Sequence, residues 1–230
     1  MNYDNYMFDL YGTLIDINTD ERAARTWKKW CKWLDARGIK HPHYIEFRRT
    51  FFERDAQARR DALESGEFEV PETDVISIYR EMFQEYGNRA LSEEELNEAS
   101  YAFRVASRGK MRLYPGVEQF LRRIHEKGHR AYILSNAQAS YTWPEIAVMG
   151  LDKMTDDQLL SSDYRCMKPD RKFYEAMFDK HKLDKSRTVM IGDSRVNDYL
   201  GAQNAGIDGI HLSGDKRADV FYVENIDDIE

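Results

Sequence analysis

A change of pattern around Tyr114-Pro115-Gly116 constrains the fold of this chain more than any other feature. Ahead of it, residues 18–109 carry apolar side chains at helical spacing and no strand signal. Behind it, short apolar runs alternate with helices of about ten residues, the pattern of βαβ units and a parallel sheet. One more apolar run, at 6–8, precedes the helical stretch. The expectation is an α/β protein: a Rossmann-like parallel sheet core flanked by helices, formed by residues 1–17 and 108–230, with residues 18–107 inserted as a bundle of four helices.

Each inserted helix has its own signature. Trp27, Trp30, Cys31 and Leu34 fall at i, i+3, i+4 and i+7, a face that packs against another helix and ends near Gly38. Tyr44, Phe47, Phe51 and Phe52 start a second helix running to about Gly66. Val75, Ile76, Tyr79, Met82, Phe83 and Tyr86 mark a third, stopped by Gly87-Asn88. Ser92 with Glu95 forms a capping box that opens a fourth, through about Ser107.

In the second half, helices are expected over 117–127, from about Pro144, and over 173–181 and 196–205. Proline suits a first helical turn, which places the second of these starts. Strands are expected over 131–134, 159–160, 188–191 and 207–211, with an edge strand at 220–223. Residues 161–170 read as a loop carrying Lys168-Pro169.

Three strands end in polar groups: Asp9, Ser135-Asn136 and Asp193. In an open parallel sheet, ligands bind outside the carboxyl ends of the strands, so these groups converge if the strands are neighbours. Gly12 and Thr13 turn the chain just past Asp9, offering backbone N–H groups and a hydroxyl. Asp9, Asp193 and Asp198 together would repel one another by several kcal/mol even at an effective dielectric of about 20. Lys168 offsets one charge. A divalent, oxygen-seeking cation, Mg²⁺, is the simplest remedy for the rest.

Composition narrows the partners. A net charge of −7 opposes binding to a nucleic-acid backbone. No apolar run approaches the length that spans a bilayer, and no signal segment is visible. Cys31 and Cys166 are far apart and lack metal-type spacing, which fits a reduced, cytoplasmic protein. A small-molecule substrate is the expected partner, for a monomer or a homodimer.

Taken in order, D-L-Y-G-T (9–13), I-L-S-N (133–136), K-P-D (168–170) and I-G-D-S-R-V-N-D (191–198) resemble the four motifs of the haloacid dehalogenase-like hydrolases. The helical insertion after the first motif resembles that family's helical cap. The resemblance implies that Asp9 is the nucleophile, that Ser135 hydrogen-bonds the transferring group and that Lys168 steadies the developing charge. It implies a Mg²⁺ site at Asp9, the Tyr11 carbonyl, Asp193 and Asp198, with Gly12, Thr13 and Asn136 near the substrate. Phosphatases of the family usually carry a second Asp two places after the nucleophile, where this chain has Tyr11. The family's 2-haloacid dehalogenases resemble it there, and use a cap arginine whose place falls near Arg48 or Arg49. The sequence therefore favours a Mg²⁺-dependent phosphatase, with a metal-independent dehalogenase or a catalytically impaired binding protein as alternatives.

Overall fold

The computed structural model describes residues 3–212 and 220–222. Its elements in chain order are β1 (Asn5–Phe8), β2 (Ile15–Thr19), α1 (Ala24–Asp35), α2 (Tyr44–Glu64), α3 (Val75–Glu85), α4 (Glu93–Ser107) and β3 (Arg108–Leu113). There follow α5 (Val117–Glu126), β4 (Arg130–Ser135), α6 (Ala139–Met149), β5 (Asp157–Leu160), α7 (Ser161–Tyr164), α8 (Arg171–His181), β6 (Thr188–Gly192), a π-helical stretch (Arg195–Leu200), α9 (Gly201–Ala205) and β7 (Asp208–His211).

Five strands form a parallel sheet in the order β5-β4-β1-β6-β7. β1 is central because it is buried on both faces: Tyr6 and Phe8 point to one side and Met7 to the other, all with no exposed surface. On the first side they join Ile133, Ile191 and the α5 residues Val117, Phe120 and Ile124. On the second, Met7 joins Leu134, Met190 and the α8 residues Phe173, Tyr174 and Met177. Phe8 is level with Ile133 of β4 and Ile191 of β6, so all three strands end at one height.

Helices α1–α4 bury a separate aromatic cluster. Trp30 stacks on Phe47 with ring centroids 4.8 Å apart, and Trp27 meets Phe103 edge-on at 4.9 Å. Side chains of this size stabilise by about 1.5–3 kcal/mol each on burial, so the cluster, which Tyr141 of α6 also joins, binds the four helices to one another. The capping box at Ser92 and Glu95 is formed.

Four expectations need correction. First, the insert is bounded by strands: β2 and β3 pair antiparallel, with Asp16 opposite Arg112 and accepting from Lys110 at 2.8 Å. Both strands are short, charged and half exposed, so only the pairing itself identifies them. Second, α6 starts five residues before Pro144, which lies inside the helix. Its start is set by tertiary contacts, since the Ala137 and Ala139 amides donate to Ser161 Oγ and Ser162 Oγ, both at 2.8 Å. Third, the loop at 161–170 contains the short helix α7, and the helix at 196–205 begins as a π-helix. Fourth, Val220 and Phe221 have helical rather than strand backbone, with Phe221 packed edge-on against Phe120; Val223 lies outside the described residues.

Candidate active site

Asp9 follows the last residue of β1, Ser135 ends β4 with Asn136 next, and Asp193 follows β6. Because these strands are adjacent, their ends share one crevice. Lys168 enters from the loop between α7 and α8 with its side chain 1% exposed. Its ammonium donates to Asp9 Oδ1 at 2.8 Å and to Asp198 Oδ1 at 2.7 Å. Ser135 Oγ lies 3.4 Å from the same Asp9 oxygen.

Each remaining part has a local cause. The π-helical turn after Ser194 swings Asp198 back, so that Oδ2 accepts from the Ser194 N–H at 2.8 Å. A Cβ at Gly192 would sit 2.2 Å from that oxygen, so only glycine admits the carboxylate. Gly12 has φ +87°, and a Cβ there would meet Asp193 Oδ2 at 2.3 Å. The Thr13 hydroxyl accepts from the Asp193 N–H at 3.1 Å and is fully buried, so it orients the acid. Asn136 grips the Lys168 main chain, donating to its carbonyl at 2.9 Å and accepting from its N–H at 2.7 Å.

Among the described residues, Asp9, Asp193 and Asp198 bring one carboxylate oxygen each within 4.8 Å of one another. Each such pair repels by roughly 3 kcal/mol or more at an effective dielectric of about 20. Burial pushes the Asp9 carboxyl up to about 6 against the pull of Lys168, with Asp198 and Asp193 adding to the rise. Burial alone would lower Lys168, but Asp9 and Asp198 hold it above its usual range, so the ammonium stays charged. One cation facing three acids leaves an excess of negative charge, and an all-oxygen donor set with that excess fits Mg²⁺. Both Asp198 oxygens are already engaged by Lys168 and Ser194, which suits it to support the site from behind.

Tyr11 points elsewhere. Its hydroxyl donates to Glu145 Oε2 at 2.5 Å and accepts from the Thr142 hydroxyl at 3.0 Å, both on α6. Burial raises its pKa well above the ordinary phenol range, although Arg104 opposes this. Glu145 has no exposed surface and also accepts from Arg104 Nε at 3.1 Å and from Arg108 Nη1 at 3.0 Å. The Arg104 guanidinium lies 4.9 Å over the Tyr11 ring.

The structure thus brings Asp9, Ser135, Lys168, Asp193 and Asp198 together, with Gly12, Thr13 and Asn136 shaping the same crevice. It does not bring in Arg48, which donates to the Arg22 carbonyl at 2.9 Å and lines an open groove with Arg22, Ile45, Arg49 and Phe52. The arginine of the insert that reaches the first motif is Arg104. Sequence reasoning missed both Arg104 and Glu145. The available signal was a lone charge inside an apolar helical segment, A-F-R-V-A and W-P-E-I-A.

The family model for haloacid dehalogenase-like hydrolases matches residues 3–206. The chain belongs to this family. As such it is a hydrolase. It is 25% identical to the pyrimidine 5'-nucleotidase PynA of Streptococcus pneumoniae, over 96% of this chain and 91% of that protein. It is 24% identical to a phosphoglycolate phosphatase of Agrobacterium fabrum, over 90% of this chain and 79% of the relative. A 2-haloacid dehalogenase from Pseudomonas syringae has a similar fold, with a TM-score of 0.62 at 21% identity, covering 91% of this chain and 86% of the other.

Proposed function

We propose that the protein is a Mg²⁺-dependent phosphatase acting on a small phosphorylated metabolite through an aspartyl-phosphate on Asp9. One observation carries this reading: three carboxylates converge with a single lysine to offset them. A dehalogenase works without a cation, and this excess charge would repel a haloacid carboxylate and the departing halide. The names of these two relatives, a 5'-nucleotidase and a phosphatase, support the same choice.

Asp9, the Tyr11 carbonyl and Asp193 would hold Mg²⁺, supported by Asp198, and the ion supplies charge neutralisation and polarisation of a phosphoryl oxygen. An Asp9 oxygen attacks phosphorus, and the bond from phosphorus to the leaving oxygen breaks. Water then cleaves the acyl phosphate, releasing inorganic phosphate and restoring Asp9. Lys168, held cationic, orients Asp9 and offsets charge on the transferring group. Ser135 stands beside the same oxygen. The Tyr11 hydroxyl is committed to Glu145 and gives no proton to the leaving group. In this reading residues 18–107 are the cap, covering a core of residues 1–17 and 108–230. Two buried, unpaired cysteines support a cytoplasmic setting.

The test is a panel of phosphates and 2-haloacids assayed with Mg²⁺ and with EDTA. The expected result is Mg²⁺-dependent turnover of aryl and acyl phosphates, with alkyl phosphates slower by about 10²–10⁴-fold for want of a general acid. Asp9→Asn abolishes turnover. The dehalogenase reading draws on Tyr11 and on the fold of the Pseudomonas syringae enzyme. EDTA-resistant activity on haloacids with none on phosphates would establish it instead. Ligand or metal binding without hydrolysis of anything would mark a binding protein.

A further inference from the structure

Lys168 makes two contacts under 3 Å at the end of a flexible four-carbon stem, so its main chain must be held firmly. Asn136 holds residue 168 from the β4 side. On the other side, the connection between α2 and α3 runs along the lysine loop like a short added strand. Val70 O accepts from the Met167 N–H at 2.8 Å, and the Glu72 N–H donates to Arg165 O at 2.9 Å, with Pro71 bridging Cys166. The Asp170 carboxylate accepts from the Glu69 and Val70 amides at 2.8 and 3.3 Å. These bonds fall three residues before, one before and two after Lys168, so they bracket it.

Side chains anchor the strap at both ends. At one end, Phe68 packs against the core cluster behind the sheet, with the Lys172 ammonium over its ring. At the other, the buried Glu72 carboxylate accepts from Ser161 Oγ at 2.8 Å, and Gln138 donates to Thr73 O at 2.7 Å while accepting from the Val75 N–H at 3.2 Å. Gln138 lies two residues past Asn136. The strap is thus tied to two of the segments that carry the site, the lysine loop and the turn after β4.

We propose that residues 68–73 of the helical insert are a positioning strap for Lys168, with Asp170 and Glu72 as its positioning residues. The inference rests on the role given to Lys168 in the proposed reaction and extends it: the insert supports the catalytic constellation as well as covering it. Displacing the insert from the core loads residues 165–170 directly and draws the ammonium away from Asp9. Seating of the insert and placement of the lysine are therefore one event.

Asp170→Ser separates this role from plain structural support. Asp170 Oδ1 caps α8 by accepting from the Lys172 N–H at 2.9 Å, and Oδ2 holds the strap. Serine keeps the cap but is too short to span both. The measurements are kcat and KM on the best phosphate of the panel, together with hydrogen exchange at individual amides; Glu72→Ala provides a second variant and Glu72→Gln a conservative rescue. Asp170→Ser and Glu72→Ala are expected to lower kcat by about 10–100-fold with little change in KM, the loss typical of a misplacement near 1 Å. Exchange at Met167 and Val70 accelerates while α8 stays protected, and Glu72→Gln recovers most of kcat. Wild-type kcat in a variant whose Val70 and Met167 amides exchange freely would overturn the proposal. If the wild type hydrolyses no phosphate, the exchange arm decides alone: unchanged protection at Met167 in both variants removes the strap, whereas faster exchange there upholds it and leaves only the phosphatase reading at fault.

Discussion

Glu145 is the most heavily committed side chain near the site. Its two oxygens accept from Tyr11, Arg104 and Arg108 with no exposed surface, and Arg104 also reaches Glu21 at 3.3 Å. Two cations and two anions balance, so the cluster is stable as a set and costly to break. Arg104→Ala leaves Glu145 with fewer donors in a buried place. The expected loss is about 3 kcal/mol, at the lower end of the usual range because Arg108 and Tyr11 remain. Urea unfolding checks it, and the double variant Arg104→Met, Glu145→Met should recover part of the loss. At the same scale, a tyrosine in the usual place of an acid is explained by its partner. The Tyr11 hydroxyl is turned toward Glu145 on α6 and its ring lies under Arg104 of α4, so in the proposed reaction that position would take no part in proton transfer.

At the scale of elements, β5 and α8 are joined by Asp157, which ion-pairs with Lys180 and hydrogen-bonds His181 Nε2, both at 2.6 Å. Burial would raise the Asp157 pKa, but these two partners outweigh it and hold the carboxyl below its usual value. A depressed acid contributes stability that is present above the unfolded value of about 3.9 and is lost as pH falls through the folded one. Asp157→Asn should therefore lower the urea midpoint at pH 7, with the difference from wild type shrinking below pH 4. The groups are partly exposed, so the effect is small and weakens with salt. The β2–β3 ribbon belongs to this scale too. It was not legible because Arg108, Lys110 and Arg112 in one strand and Asp16 in the other read as solvated charges until they are paired across the ribbon.

At the scale of the whole molecule, a cation bound in the acidic crevice would become part of the folding equilibrium. In the proposed reading, Mg²⁺ held by Asp9 and Asp193 would bind the folded chain and have no such site in the unfolded one, and so would stabilise by mass action. At a concentration about 100 times its Kd the gain is about 2.7 kcal/mol. A thermal melt with and without Mg²⁺ checks this: Tm should rise with Mg²⁺, and Asp193→Asn should abolish most of the rise.

The parallel sheet and the four helices of the insert were legible because runs such as 6–8 and 188–191, and rows such as Trp27-Trp30-Leu34, report burial through local periodicity. Asp9, Ser135, Asp193 and Lys168 were legible for the same reason, since polar residues at strand ends and in the loops beside them have predictable neighbours once the strands are ordered. The start of α6 was not, because Ser161 and Ser162 determine it more than Pro144 does. Nor was the choice of Arg104 over Arg48, or the tie between Tyr11 and Glu145, which are 134 residues apart. Periodicity along a chain says which side chains leave water. Which buried charge meets which, and which backbone braces the lysine loop, depends on contacts between distant segments that exist only once the chain is folded.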